Sequence, residues 1–114
     1  MTEDSTRQLK VARQVQKDLS EIFRLQGMAP YGGAMITVTN VRISPDLAVA
    51  RVWLSIFPSA KAKEVLASVQ AQSRSIRGEL GHRVAKQLRI VPDLSFLIDD
   101  SLDYVEHIDE LLKM

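Results

Sequence analysis

From Ala48 to Ile56 the chain alternates: Ala48, Ala50, Val52, Leu54 and Ile56 share one parity, and Val49, Arg51, Trp53 and Ser55 take the other. Successive side chains of a strand point to opposite faces, so the run Leu47 to Phe57 reads as a strand with one covered face and one outward face. The covered row is small at its alanine end, which lets a helix approach closely. This segment restricts the fold to a sheet carrying helices on that side.

The flanking segments supply those helices. Val11, Val15, Leu19 and Ile22 fall on one face of a helix over Arg7 to Leu25. Gln26 to Met35 holds Gly27, Pro30, Gly32 and Gly33 and is expected to be a mobile loop able to lie on a partner. In the strand that follows, Ile36 and Val38 have one parity and Val41 and Ile43 the opposite, so a bulge or strong twist is expected near Thr39 and Asn40. Ser44-Pro45-Asp46 is turn chemistry that joins it to the alternating strand as an antiparallel pair.

After Pro58-Ser59 a helical period begins near Ala60, with Val65, Leu66 and Val69 inward, and continues through Ile76, Leu80 and Val84 to Leu88. That is too long for one ordinary helix, so a break is expected at Gln70 to Ser73. Pro92 begins a third strand, Leu94 to Ile98, and Asp99 or Asp100-Ser101 caps a last helix whose apolar face is Val105, Ile108, Leu111 and Leu112. The order helix, strand, strand, helix, helix, strand, helix is α+β, in a single domain over 1–114 with residues 7–112 structured.

Several classes of chemistry are excluded or disfavoured. The chain has 114 residues and no cysteine, which removes a disulfide scaffold, a cysteine nucleophile and a zinc ribbon. No apolar run approaches the ~18 residues that span a bilayer, and the first residues lack a signal-like apolar segment, so a soluble intracellular protein is expected. His82 and His107 are isolated, with no second ligand at metal spacing and no nucleophile near either on the same element. Asp99-Asp100 suit a helix cap better than a metal pair. No catalysis, cofactor or metal is expected.

Net charge is only +1, but its distribution is uneven. Between Ala60 and Ile90 seven bases face two acids, an excess of five positive charges, and from Val91 onward seven acids face one lysine, an excess of six negative ones. On the helix before the third strand, Arg74, His82, Lys86 and Arg89 lie opposite Ile76, Leu80 and Val84, beside Gly78, Gly81 and Ala85. That face offers positive charge around a smooth stripe of small residues, a surface a polyanion backbone can approach closely. Lys10, Arg13, Lys17 and Arg24 line the back of the first helix with only Glu21 intruding. Alone this is an ordinary solvated face; it gains meaning if the two basic faces are neighbours. Trp53, the only tryptophan, can stack a base beside Arg51, or it can cover the outward sheet face or pack under a terminal segment; the lack of a second sheet aromatic favours these structural roles.

The runs ITVTNVRISPDLAVARVWLSIF, SIRGELGHRVAKQLRIVPDLSFLIDDSL and IDELLKM, in that order after a basic helix, resemble the ribosome-binding factor A family. The resemblance covers Arg7 to Leu112. Its specific pieces are the Ser44-Pro45-Asp46-Leu47-Ala48 turn, the Ile76-Arg77 pair and the run Leu88 to Phe96. It implies a type II KH-like domain, a three-stranded sheet covered by helices on one face with an extra C-terminal helix, acting as a monomer in the cytoplasm. It implies binding to the small ribosomal subunit and its rRNA during late maturation and pre-rRNA end processing, with ribosomal proteins or other assembly factors as further partners. A KH domain carries a Gly-x-x-Gly loop just before its Ile-Arg pair. Here that position is Gln70-Ala71-Gln72-Ser73, and the family's Ala-x-Gly junction is replaced by Gln72-Ser73-Arg74. Gly78-Glu79-Leu80-Gly81 satisfies the pattern only literally, inside a helix.

The RNA contacts expected on this basis are Arg74, Arg77, His82, Lys86 and Arg89, with Lys10, Arg13 and Lys17 on the first helix and Ser73 at the junction. Arg83 lies nearer the core edge. The acidic last helix is expected away from that face. The competing reading is a non-enzymatic protein-protein adaptor that uses the basic and acidic faces on different proteins.

Overall fold

The computed structural model describes residues 4–85, 87–88 and 90–99. Helix α1 (Thr6–Gln26) starts with a capping box: the Ser5 hydroxyl accepts from the Gln8 N–H at 3.1 Å, and the Gln8 side chain accepts from the Ser5 N–H at 2.8 Å. It ends at Gly27, whose φ of +72° is one that glycine takes without steric cost. Strands β1 (Met35–Ile43) and β2 (Val49–Phe57) pair antiparallel, and the register slips between Val38 and Asn40, where the parity of the sequence changes. Helices α2 (Ala62–Ala71) and α3 (Ser73–Val84) then carry the chain back over the sheet to β3 (Asp93–Ile98), which pairs parallel with β2. The sheet order is β1-β2-β3, so β2 is central.

One parity of β2, Ala50, Val52, Leu54 and Ile56, is buried under the helices, with Val15 and Leu19 of α1, Val65 and Val69 of α2, and Ile76, Leu80 and Val84 of α3. This is the α+β arrangement of a three-stranded sheet with helices on one face. Ala48, expected at the end of the covered row, is instead exposed in the turn before β2. There Asp46 accepts from the Ser44 hydroxyl at 2.6 Å and from the Ala48 N–H at 3.1 Å, and Leu47 is held at φ +62°.

Two expectations need correction. The segment 26–35 is not a loose loop: it contains a 3-10 turn (Ala29–Tyr31) whose Tyr31 is buried edge-on against Phe23, 6.2 Å between ring centroids, and donates its hydroxyl hydrogen to Gln26 at 2.6 Å. An aromatic ring with a polar tip has a partner at both ends here, and burial raises the phenol pKa. Lys61 also ties down this segment by donating to the Gly32 carbonyl at 2.7 Å. The second correction is that α3 ends at Val84, short of Leu88. The N–H groups of Gln87 and Leu88 both donate to the Val84 carbonyl, closing the helix in a tight turn. The expected last helix, with its caps at Asp100-Ser101, falls outside the described residues, as do Lys86 and Arg89.

Candidate nucleic-acid interface

The rotation of α1 about its axis is fixed by two glutamines. Gln8, buried, donates its amide to the Ile43 carbonyl at 2.9 Å, and Gln16 donates to the Val38 carbonyl at 3.3 Å. Both acceptors belong to β1, so one flank of α1 is fastened to the sheet edge while Val11, Val15, Leu19 and Ile22 face the core. With that phase set, Lys10, Arg13 and Lys17 are exposed, and none forms an ion pair among the described residues. Arg24 differs: its guanidinium grips Glu21, and that hydrogen bond is the main cause holding the Glu21 carboxyl below its usual pKa. The free cationic stripe is therefore the first three residues.

Helix α3 is set by the opposite device. Ile76, Leu80 and Val84 are buried to 1% exposure or less. On one flank, Arg77 donates to the Val91 carbonyl at 2.7 Å and the Pro92 carbonyl at 3.2 Å, and lies 3.3 Å from the Asp93 carboxylate. It binds α3 to the lead-in of β3, a structural duty that charge patterning in the sequence did not disclose. Gly81 is on the same flank, where an added Cβ would stand 3.4 Å from the Val91 side chain; Gly78 faces open space. On the other flank, Arg83 is half-buried and near enough to Glu21 to help lower its pKa. Between these flanks Arg74 and His82 are exposed.

The break between α2 and α3 falls on Gln72, with φ −98° and ψ 7°, so the junction is interrupted although neither Gly-x-x-Gly nor Ala-x-Gly is present. Its N–H still donates to the Ser68 and Val69 carbonyls, and its carbonyl accepts from Ile76. Ser73 is the half-buried first residue of α3. The Gly78-to-Gly81 run is helical, as its core leucine requires.

The two basic helices are neighbours: α1 and α3 pack together, and the chain after α3 runs along α1 toward its first turns. There a cleft of about 840 Å3 opens between Arg7, Lys10 and Gln14 of α1, the turn at Asp46, and Leu88 and Ile90. Cations rim it on the α1 side and Ile90 projects into solvent. Arginine and lysine around an open, partly apolar cleft can neutralise phosphates while leaving room for sugar or base. Among the described residues there is no group of three metal-ligating side chains, and no helix is long and apolar enough to cross a membrane.

Comparison with known proteins gives a consistent picture. The family model described as ribosome-binding factor A matches residues 7–112. The ribosome-binding factor A of Flavobacterium psychrophilum is 46% identical over 112 residues, covering 96% of this chain and 85% of the relative. That of Cytophaga hutchinsonii is 38% identical over 110 residues, covering 96% and 83%. The crystal structure of ribosome-binding factor A from Thermus thermophilus superposes with a TM-score of 0.68 at 24% identity, over 80% of this chain and 94% of that one. A homology model of the Thermus thermophilus factor, fitted into a cryo-electron microscopy map of its complex with the 30S subunit, aligns with a TM-score of 0.63 at 25% identity, over 78% and 91%.

Proposed function

This chain belongs to the ribosome-binding factor A family, and from that premise we propose that it binds the small ribosomal subunit through rRNA held on the α1–α3 face during late maturation. The observation that carries this is the pairing of two helices whose outward cations, Lys10, Arg13, Lys17 and Arg74, are exposed and lack acidic partners among the described residues. Unpaired cations on a rigid, packed surface bind phosphate without first breaking an internal ion pair. His82 lies on the same outward side of α3, and Lys86 and Arg89 extend the basic sequence beyond the described helix. Arg77 serves binding by holding α3 in register with β3.

The protein acts as a non-enzymatic factor in the cytoplasm, and its binding accompanies processing of the immature rRNA end. A homologous factor fitted into a 30S map supports the choice of subunit. The test is sedimentation of the purified chain with free small subunits and with full ribosomes, followed by titration of a structured rRNA fragment at several salt concentrations. Binding to free subunits, with a log-log salt slope of about −3 to −4, is expected from four phosphate contacts. Subunit binding with a flat salt response would replace this reading by that of a protein-protein adaptor.

A further inference from the structure

The side of the sheet that α1, α2 and α3 leave uncovered carries its own constellation. The strand register sets Arg42 of β1 directly opposite Arg51 of β2, and Ser95 of β3 opposite Arg51 on its other side. One row along, Asn40, Trp53 and Leu97 stand abreast. Like charges directly across an antiparallel pair repel, so two arginines in this position cost stability unless something anionic lies over them. Within the chain little does. Arg51 has no ion pair among the described residues, and Arg42 reaches only Asp4, at 3.4 Å on the surface. Both arginines are exposed and border a recess of about 380 Å3 that Asp4 also lines, so a phosphate across the pair takes the place of Asp4 at Arg42 and meets Arg51 unpaired among the described residues. The nearest strand acid, Asp93, is already engaged by Arg77.

Trp53 lies two residues from Arg51 on the same face, about 7 Å along the strand. The register thus sets a guanidinium pair one outward position along the strand from a half-buried indole, with Asn40, Ser95 and Thr37 supplying polar groups around it. Exposed apolar side chains also lie on this face, Val49 and Leu97 near the arginines and Met35 opposite Phe57 at the far end of the hairpin, so it is the charge of the arginine pair that selects a polyanion.

We propose that this open sheet face, centred on Arg42, Arg51 and Trp53, is a second RNA-binding surface that takes a short single-stranded segment, with phosphate across the arginine pair and one base against the indole. It is separate from the α1–α3 face and stands on different residues, so the protein can hold two RNA segments on opposite sides of one small domain. The proposal rests on the reading of the chain as an rRNA binder only for the choice of RNA as the polyanion.

Trp53 is the single tryptophan, so its fluorescence reports on this face directly. Titration of the full chain with an octameric oligoadenylate is expected to quench the indole. Arg51→Gln should raise the half-quenching concentration about ten-fold, as expected for loss of one charged or stacking contact, with an unchanged circular dichroism spectrum. Arg42→Gln serves as a second variant with the same expectation. Lys10→Gln/Lys17→Gln, on the other face, should leave half-quenching within about two-fold while weakening small-subunit binding, which separates failure of one site from failure of the other. Absence of quenching, quenching that both arginine variants leave unchanged, or equal quenching by hexaglutamate would overturn the proposal, the last by showing that an acidic peptide is the occupant.

Discussion

Replacing Lys10 and Lys17 together by glutamine removes two of the four cations assigned above to phosphate contact and leaves Arg13 and Arg74. Each phosphate neutralised contributes about 0.9 to the log-log salt slope for a duplex, so four contacts give about −3.6 and two about −1.8. Raising salt from about 50 to about 200 mM should then weaken the unaltered protein about 150-fold and the variant only about 12-fold. Folding should be almost untouched, because glutamine and lysine have similar helix propensity and exposed substitutions usually shift stability by about 0.5 kcal/mol or less. The assay is filter binding or anisotropy with a structured rRNA fragment over that salt range, paired with urea melts of both proteins. An unchanged slope would show that α1 does not touch phosphate. A destabilisation of about 2 kcal/mol would show that these lysines are structural, and the α1 stripe would leave the interface.

Other perturbations separate scaffold from surface. Leu80→Ala empties a fully buried position and should cost about 2 to 5 kcal/mol in denaturant melts. Gln8→Ala leaves the Ile43 carbonyl and the Ser5 N–H without their partner and should cost about 1 to 3 kcal/mol, with α1 losing its first turn by hydrogen exchange. Arg77→Gln should cost about 1 kcal/mol and leave the RNA salt slope unchanged, since its donors already serve Val91 and Pro92. Asp46 sits below its ordinary pKa of 3.8 chiefly because the Ser44 hydroxyl donates to it. A carboxyl with a depressed folded pKa gives stability that is present above its unfolded pKa and lost as pH falls through the folded one. Acidification below pH about 4 should therefore lower the urea midpoint of the parent more than that of Asp46→Asn.

The elements legible in the sequence were those governed by a simple period. The apolar stripe of α1, the alternation of β2 and the core face Ile76, Leu80 and Val84 follow from 3.6- and 2-residue repeats, and the parity change at Thr39 marked the bulge. The break at Gln72 was legible through length alone, with no glycine or proline to announce it. Tertiary use of polar side chains was not legible. Gln8 reads as one more surface glutamine until β1 brings the Ile43 carbonyl to it, and Arg77 reads as a basic-face residue until the β3 lead-in passes beneath it. Tyr31 was hidden by its setting, since glycine and proline around it signal a turn and say nothing of where an aromatic ring goes. The opposition of Arg42 and Arg51 needed the strand register, which the length and geometry of the turn between them fix.

The parallel pairing of β3 with β2 has a consequence for how the chain is made. A hairpin of β1 and β2 needs only the tight turn at Ser44 to Ala48 to close, whereas β3 can reach β2 only after both α2 and α3 have been synthesised. A nascent chain emerging N-terminus first can thus assemble α1 with the hairpin while one edge of β2 is still bare. In that interval the Phe23 ring, which meets Phe96 edge-on at 6.3 Å in the finished domain, has no cover from that side. An open strand edge beside an uncovered aromatic is a template for pairing with another chain. The half-made protein, with the central strand waiting for its last partner, is the form most exposed to misassociation, and β3, six residues long, closes both liabilities in one step.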